Sequence, residues 1–393
     1  MNILHTVQFY HPSVGGMQEV VRQLSERLVR AGHHVTVATS RLPERGAKEL
    51  NGVRIQEFGV SGSAAFGLDG NWQEYENWLL NSRFDIVTNF AAQQWATDVA
   101  LPVLARIPAK KVFVPTGFSG LYRPEFKEYF AKMAHWMRQY DMNVFLSDEY
   151  RDINFARQHG ISKLALIPNG AGEDEFLAPL DIDIRKQLGI APNQFLVLHV
   201  GSYTGEKGHR EAVEIFEKAN LRNAVLLMIG NDNVRFRKSL KNYSLRKRLV
   251  NRVMNRRVII ATLTRPETVA AYQAADLFLF PSNIECSPIV LFECMAARTP
   301  FLTTDVGNAA EIIRWSGGGV LLPTRKDDNG YSHAAIDASA HLLKRVRQDT
   351  SVRKSMASAG FKAWQEKFSW EKITAQYEHL YFNLIQHDTQ PNP

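Results

Sequence analysis

Two glutamates eight residues apart, Glu285 and Glu293, frame the part of this 393-residue chain with the densest potential for chemistry. The apolar run Ala275-Asp276-Leu277-Phe278-Leu279-Phe280 just ahead of them reads as a short buried strand. Glu285 falls in the loop that follows. Ser287 as N-cap and Pro288 in the first helical position predict a helix start there, with Glu293 one turn inside on the face of Ile289. The free amides of Ile289 and Val290, with the helix dipole behind them, favour an anion, and phosphate is the usual one. An anion cradle beside two acids complements a nucleotide: amides for phosphate, one carboxylate for ribose hydroxyls, the other facing a sugar. A second loop, Gly201-Ser202-Tyr203-Thr204-Gly205-Glu206-Lys207-Gly208, follows the apolar run Phe195–Val200 and carries an amine, Lys207, where it could meet phosphates. Two glutamates at this spacing, taken alone, read equally well as a solvated helix surface.

The elements that must position these groups alternate along the chain. A strand ending near Phe9 leads through His11-Pro12-Ser13-Val14-Gly15-Gly16 into a helix from Met17 to Arg30, with Val20, Val21, Leu24, Leu28 and Val29 as its apolar face. Gly32 closes it and His34–Thr39 is the next strand, so the chain opens on a strand-helix-strand unit of a parallel sheet. Ligands of open α/β sheets bind in loops such as the one holding Gly15 and Gly16, which let a phosphate or sugar approach the backbone; a plain tight turn is the competing reading. The turn is not G-x-G-x-x-G, which argues against a nicotinamide cofactor. Further strands are predicted at Val53–Phe58, Asp85–Asn89, Lys111–Pro115, Asn143–Ser147 and Leu164–Ile167. The large side chains between Tyr122 and Tyr140 read as core. Ala178 to Arg185 is the expected linker between domains 1–177 and 186–369. In the second domain the alternation restarts: strand Phe195–Val200, helix His209–Ala219, strands Ala224–Ile229 and Arg257–Ala261, and a helix Val269–Ala275. The loop Thr262-Leu263-Thr264 could border a base. A closing helix spans residues 370–386, and Gln386 to Pro393 reads as loose.

Composition sets limits on the class. An apolar fraction of 45% with 22% charged residues fits a soluble globular enzyme, and no apolar run reaches transmembrane length. The N-terminus has neither the basic region nor the cleavage site of a secretory signal. Cys286 and Cys294 are the sole cysteines, which implies no disulfide framework and no zinc site, and leads us to expect a reducing cytoplasm. The net charge of +7 is localised: Val234 to Arg257 holds ten cations and no acid, and the rest of the chain carries −3. That segment, with a partial apolar face, could dock on an anionic membrane surface, bind an acidic acceptor, or be a solvated helix; its sparse aromatics argue against nucleic acid.

Glu285 and Glu293, framed by Pro281-Ser282 and by Asp305-Val306-Gly307 with Glu311-Ile312, resemble the E-x7-E signature of retaining glycosyltransferases of family 4. P-S-V-G-G-M-Q-E-V-V near the N-terminus and Ile167-Pro168-Asn169-Gly170 resemble the same family. The resemblance implies a GT-B architecture, two doubly wound Rossmann-like α/β domains facing a cleft, with the last helix crossing back to the first. It implies a hexosyltransferase-type, metal-independent enzyme with no cofactor, moving sugar from a nucleotide-diphosphate sugar to a glycan or lipid-linked acceptor in cell-surface polysaccharide or glycolipid synthesis, on the cytoplasmic side and peripheral to the membrane. Glu285 and Lys207 would be catalytic. Glu293, Gly201, Ser202, Leu263, Ser287, Ile289 and Val290 would hold the donor, and Gly15 and Gly16 the acceptor or a phosphate. Three positions depart from the pattern. Ser202 stands where an arginine is usual, leaving Arg210 or Arg235 as replacement cations. Cys286-Ser287-Pro288 replaces a glycine-aromatic-glycine. Thr116-Gly117-Phe118 lacks a histidine common in relatives. These departures also fit a non-catalytic subunit that binds nucleotide sugar, and a nucleotide-sugar epimerase is a further alternative.

Overall fold

The computed structural model describes residues 1–231, 238–239 and 253–386. Most of the basic segment Val234–Arg257, including Arg235, and the tail beyond Gln386 lie outside the described residues. The chain divides into two compact units, Met1–Asn169 with the chain from Trp370 onward, and Gly170–Ser369. The break therefore falls at Gly170 rather than after residue 177, because Phe176, 4% exposed, is buried in the second unit's core.

The first unit is built on an eight-stranded sheet. In chain order its strands are β1 (Asn2–Thr6), β2 (His34–Ser40), β3 (Glu49–Leu50), β4 (Val53–Phe58), then a separate hairpin of β5 (Val60–Ser63) and β6 (Gly67–Gly70), then β7 (Ile86–Phe90), β8 (Lys110–Val114), β9 (Met142–Phe145) and β10 (Leu164–Leu166). The sheet order is β10-β9-β8-β7-β1-β2-β4-β3, parallel except for β3 against β4. The chain winds out one way from β1 and then the other, the doubly wound plan. Buried runs such as Ile86–Phe90 are what a parallel sheet covered on both faces requires. The Gly16–Arg30 helix buries Val20, Val21, Leu24 and Leu28, and the Lys127–Gln139 helix buries Tyr129, Phe130, Met133 and Met137, so that aromatic stripe is core. The Trp370–Gln386 helix packs on this unit. Its buried Ile373, Tyr377 and Tyr381 recur every four residues, Glu371 pairs with Arg27 at 2.7 Å, and the Tyr381 hydroxyl meets Thr88 at 2.8 Å.

The second unit has a six-stranded parallel sheet of β11 (Phe195–Val200), β12 (Ala224–Ile229), β13 (Arg256–Ala261), β14 (Leu277–Phe280), β15 (Phe301–Thr303) and β16 (Gly319–Leu321), ordered β13-β12-β11-β14-β15-β16. A short hairpin of β17 (Thr324–Lys326) and β18 (Ser332–Ala334) follows. This is the strand order of dinucleotide-binding folds, with its reversal between β11 and β14. β11 and β12 are apolar nearly throughout and buried nearly end to end.

One buried acid ties the first unit's loops together. Asp98, 4% exposed, accepts from the Tyr129 hydroxyl at 2.7 Å and from the Ala64 amide at 2.8 Å, and burial pushes its carboxyl up to about 6. Buried Asp152 is likewise raised to about 6 by burial while accepting from the Gly117 amide at 2.8 Å. An acid whose folded pKa exceeds its unfolded value stabilises most when protonated, so this contribution is full below pH 4 and is lost as pH rises to 6. We expect thermal unfolding from pH 4 to 7 to show a shallower loss of stability with rising pH in Asp98→Asn than in the parent, by on the order of 1–3 kcal/mol, and a shallower one still when Asp152→Asn is added. Identical slopes would mean that neither group titrates in this range.

Candidate functional site

The reversal between β11 and β14 brings their following loops side by side in the second unit, and two glycines fix how closely. Gly208 has φ +71°, and a Cβ there would lie 1.9 Å from the Pro281 carbonyl oxygen. Only glycine lets the end of the Lys207 loop lie against the backbone after β14. The Glu206 carbonyl completes the contact, accepting from the Asn283 amide at 2.8 Å and the Ser282 hydroxyl at 3.3 Å. On the other side Gly307 has φ +56°, and a Cβ would stand 2.3 Å from the Cys286 carbonyl oxygen, which accepts from the Asn308 amide at 2.8 Å. The Thr304 hydroxyl donates to the Ser282 carbonyl at 2.5 Å. The Glu285 loop is thus clamped between two backbones.

Within this clamp Lys207 Nζ lies 2.6 Å from Glu285 Oε1, which also accepts from the Ser282 hydroxyl at 3.0 Å. Both groups are half-buried, so the lysine is not a free cation: Glu285 holds it. A Cβ on Gly201 would approach the Lys207 Cβ to 3.1 Å, so glycine at 201 lets the lysine stem lie flat against the strand end. Beneath the loop, His209 Nε2 donates to the Gly201 carbonyl at 3.1 Å and His199 Nδ1 to the Leu279 carbonyl at 2.8 Å, with the rings 4.5 Å apart. Burial holds both rings neutral, His199 near 4 and His209 near 2, the latter pushed further down by His199 and by Lys207. These histidines are a neutral floor tying β11, β14 and the lysine loop together.

The following helix starts one residue later than the sequence predicts. It spans Ile289–Ala296, and Pro288, with ψ 109°, is its N-cap in place of Ser287. Ser287, the residue before that cap, is buried. The first turn still leaves the amides of Ile289 and Val290 without acceptors inside the helix. Glu293 is 4% exposed, and its carboxylate accepts from Arg265 Nη1 at 2.5 Å, where the sequence places it simply one turn inside the helix. The same guanidinium forks onto Glu175 through Nε at 3.0 Å and Nη2 at 2.8 Å. Arg265 and Glu175 escaped the sequence reading, and the helix holding Arg265 begins there rather than at Val269, opened by a Thr264–Glu267 capping box. One signal was available: a cation in the first turn opposes the helix dipole, so an arginine there calls for a tertiary partner.

The remaining candidates are dispersed. Ser202 is half-buried, its carbonyl accepting from the Thr204 amide at 2.8 Å, and Arg210 is exposed on the next helix. Leu263 packs against the second unit's core. Gly15 and Gly16 lie in the first unit, where Gly15 precedes the Gly16–Arg30 helix and a Cβ on Gly16 would meet nothing within 4 Å. Of the basic segment, Arg256 is not a surface cation. It is 4% exposed, lies over the Phe216 ring and donates to the Glu217 carbonyl at 3.0 Å. Among the described residues no group of three His, Cys, Asp or Glu could hold a metal ion.

Comparison with known proteins assigns both units. Residues 14–174 match the family described as Glycosyltransferase Family 4 and residues 181–359 the family described as Glycosyl transferases group 1. The chain is 23% identical over 404 residues to N-acetyl-alpha-D-glucosaminyl L-malate synthase of Bacillus anthracis, covering 96% of each. It is 24% identical over 387 residues to phosphatidyl-myo-inositol mannosyltransferase of Mycobacterium tuberculosis, covering 93% of each. Among solved structures, Anabaena Alr3699/HepE in complex with UDP-glucose superposes with a TM-score of 0.74 at 16% identity, over 98% of this chain and all of the other.

The clamp yields a direct test. Gly208→Ala forces a methyl group into the Pro281 carbonyl and strains a left-handed backbone, so the full chain should lose on the order of 1–3 kcal/mol of stability, read as a lower denaturant midpoint. Gly16→Ala, with open space around it, should shift that midpoint by less than about 0.5 kcal/mol. Equal midpoints for the two variants would show that the two loops do not meet as described.

Proposed function

We propose that this chain, which belongs to the GT-B glycosyltransferases of the family 4 type, transfers a sugar from a nucleotide-diphosphate sugar to a glycan or lipid-linked acceptor, retaining the anomeric configuration and using no bound metal. The observation that carries this reading is the Lys207–Glu285 pair, held at the strand-order reversal with Glu285 four residues ahead of Ile289, whose amide and that of Val290 have no acceptor within the helix. In this reading the donor's diphosphate docks on those amides and draws Lys207 away from Glu285. The carboxylate then faces the donor sugar, and Glu293, steadied by Arg265, accepts from the ribose hydroxyls.

The reaction breaks the bond between the anomeric carbon and the diphosphate oxygen. The acceptor hydroxyl bonds to that carbon on the same face, and its proton passes to the departing phosphate. Lys207 and the helix amides offset the charge that grows on the leaving diphosphate, a stabilisation fixed in place before the reaction and worth a few kcal/mol per donor. UDP-glucose bound to the HepE neighbour supports a nucleotide-sugar donor, and the phosphatidyl-inositol mannosyltransferase relative supports an acceptor of the lipid-linked kind. Under this reading the chain works in the cytoplasm, peripheral to the membrane that carries its acceptor; among the described residues no helix is long and apolar enough to cross a membrane.

Thermal shift with UDP-, GDP- and ADP-sugars identifies the donor, and kinetics with that donor divide the roles. Glu293→Gln should raise the donor Kd with a smaller change in turnover. Glu285→Gln should lower kcat with little change in Kd, and Lys207→Ala should lower kcat by about 10²–10³-fold. The product should keep the donor's anomeric configuration by NMR, and chelator should leave the rate unchanged. Donor affinity and turnover unaffected in all three variants would sink the site. Nucleotide binding without any sugar release or transfer would point to a non-catalytic subunit.

A further inference from the structure

The first unit has a concavity far along its sheet from the loops that follow the strands. It opens at the amino ends of β1, β2 and β4, beside edge strand β3 and the end of the Trp72–Asn81 helix, with a volume of about 630 Å³. That is within the range of small-ligand sites. Three cations line it: Lys48, Arg54 and Arg83. All three are exposed, and among the described residues none forms an ion pair. Glu49 is the one acid in the lining, and it faces Arg54 in the β3–β4 register. Two aromatic side chains also line it, Trp78 and Phe84, whose ring centroids are 5.7 Å apart at an interplanar angle of 60°. Thr36, Gln56 and Ser82 add hydroxyl and amide groups to the lining.

We propose that this concavity is a second binding site that takes an anionic sugar, a carbohydrate unit bearing a carboxylate or phosphate. The cations supply the complement of the charge. The partly buried indole of Trp78 offers an apolar face to sugar C–H groups, and the amide and hydroxyl groups meet ring hydroxyls. A nucleobase fits less well, because the two rings are tilted and form no parallel slot for a flat heterocycle. A lipid surface fits less well too, because the aromatics line a concave wall and do not project. Ligands of a doubly wound sheet bind at the carboxyl ends of its strands. A site at the amino ends is therefore separate from that face of the same unit, and it does not depend on the donor reading of the second unit.

The test is fluorescence titration of the full chain with trigalacturonate and with mannose 6-phosphate, against maltotriose and UDP as controls. We expect one of the two anionic sugars to bind at least tenfold more tightly than maltotriose, which also tells carboxylate from phosphate. Arg54→Glu with Arg83→Glu should weaken that binding at least tenfold. Trp78→Phe should abolish most of the fluorescence change while calorimetry still registers binding. Arg246→Glu with Lys247→Glu, in the basic segment, should leave it unchanged. Equal affinity for maltotriose, displacement of the sugar by UDP, or loss of binding in the basic-segment variant but not in the groove variant would each overturn the proposal.

Discussion

The contact of the Gly208 backbone with the Pro281 carbonyl is the constraint on which the candidate site depends. A parallel sheet whose order reverses leaves its two central strands with loops that diverge in sequence yet start side by side. Whether those loops then touch is decided by steric bulk, and here the closest approach leaves no room for a single methyl group. Gly307 imposes the same limit from the other side. The Glu285 loop, pinned at both flanks, has little freedom, and a carboxylate 78 residues from its lysine partner comes to within 2.6 Å of it.

The charges in this unit follow a consistent rule: each candidate carboxylate is paired. Lys207 holds Glu285, and Arg265 holds Glu293 while also anchoring Glu175. A buried carboxylate left alone would be strongly destabilising, so each of these acids sits against a cation that offsets the cost of its burial. Under the proposed function this pairing makes the site exchangeable, since a diphosphate would compete with Glu285 for a lysine already in position. The neutral His199–His209 floor adds no charge to this balance, because burial holds both rings unprotonated, with His199 and Lys207 pushing His209 down further.

The first unit repeats the architecture with different chemistry. Its reversal lies between β1 and β7, and there the Gln94 side chain accepts from the Gln8 amide at 2.6 Å, linking the two loops by a side chain instead of a glycine contact. Ala91, Gln93, Thr116 and Phe118 all take left-handed backbone conformations after β7 and β8, and buried Asp152 steadies the second of these turns through the Gly117 amide. The departure from the family pattern at Thr116-Gly117-Phe118 is thus a built turn, held by an acid 35 residues away.

The sequence by itself determined the strands that are apolar along nearly their whole length, because a run such as Ala224–Ile229 can be buried on both faces only inside a parallel sheet. It also determined the alternation of those strands with amphipathic helices, hence the doubly wound plan, and it marked Glu285, Glu293 and Lys207 by loop position and motif. It did not reveal β3, β5, β6 or β15 to β18, because runs of two to four residues carry little periodicity, although the equally short β10 was read from its apolar Leu164 and Leu166. It misplaced the helix start by one residue because Ser287 and Pro288 each satisfy a local rule, and only the surrounding backbone chooses between them. Tertiary structure alone decided which charges meet: Arg265 reaches Glu293 across 28 residues and Glu175 across 90, and Arg256 turns inward from a segment that reads as a cationic surface. Local sequence encodes burial and turn chemistry. The partner of a charge depends on distances that exist only once the sheet has set its strand order.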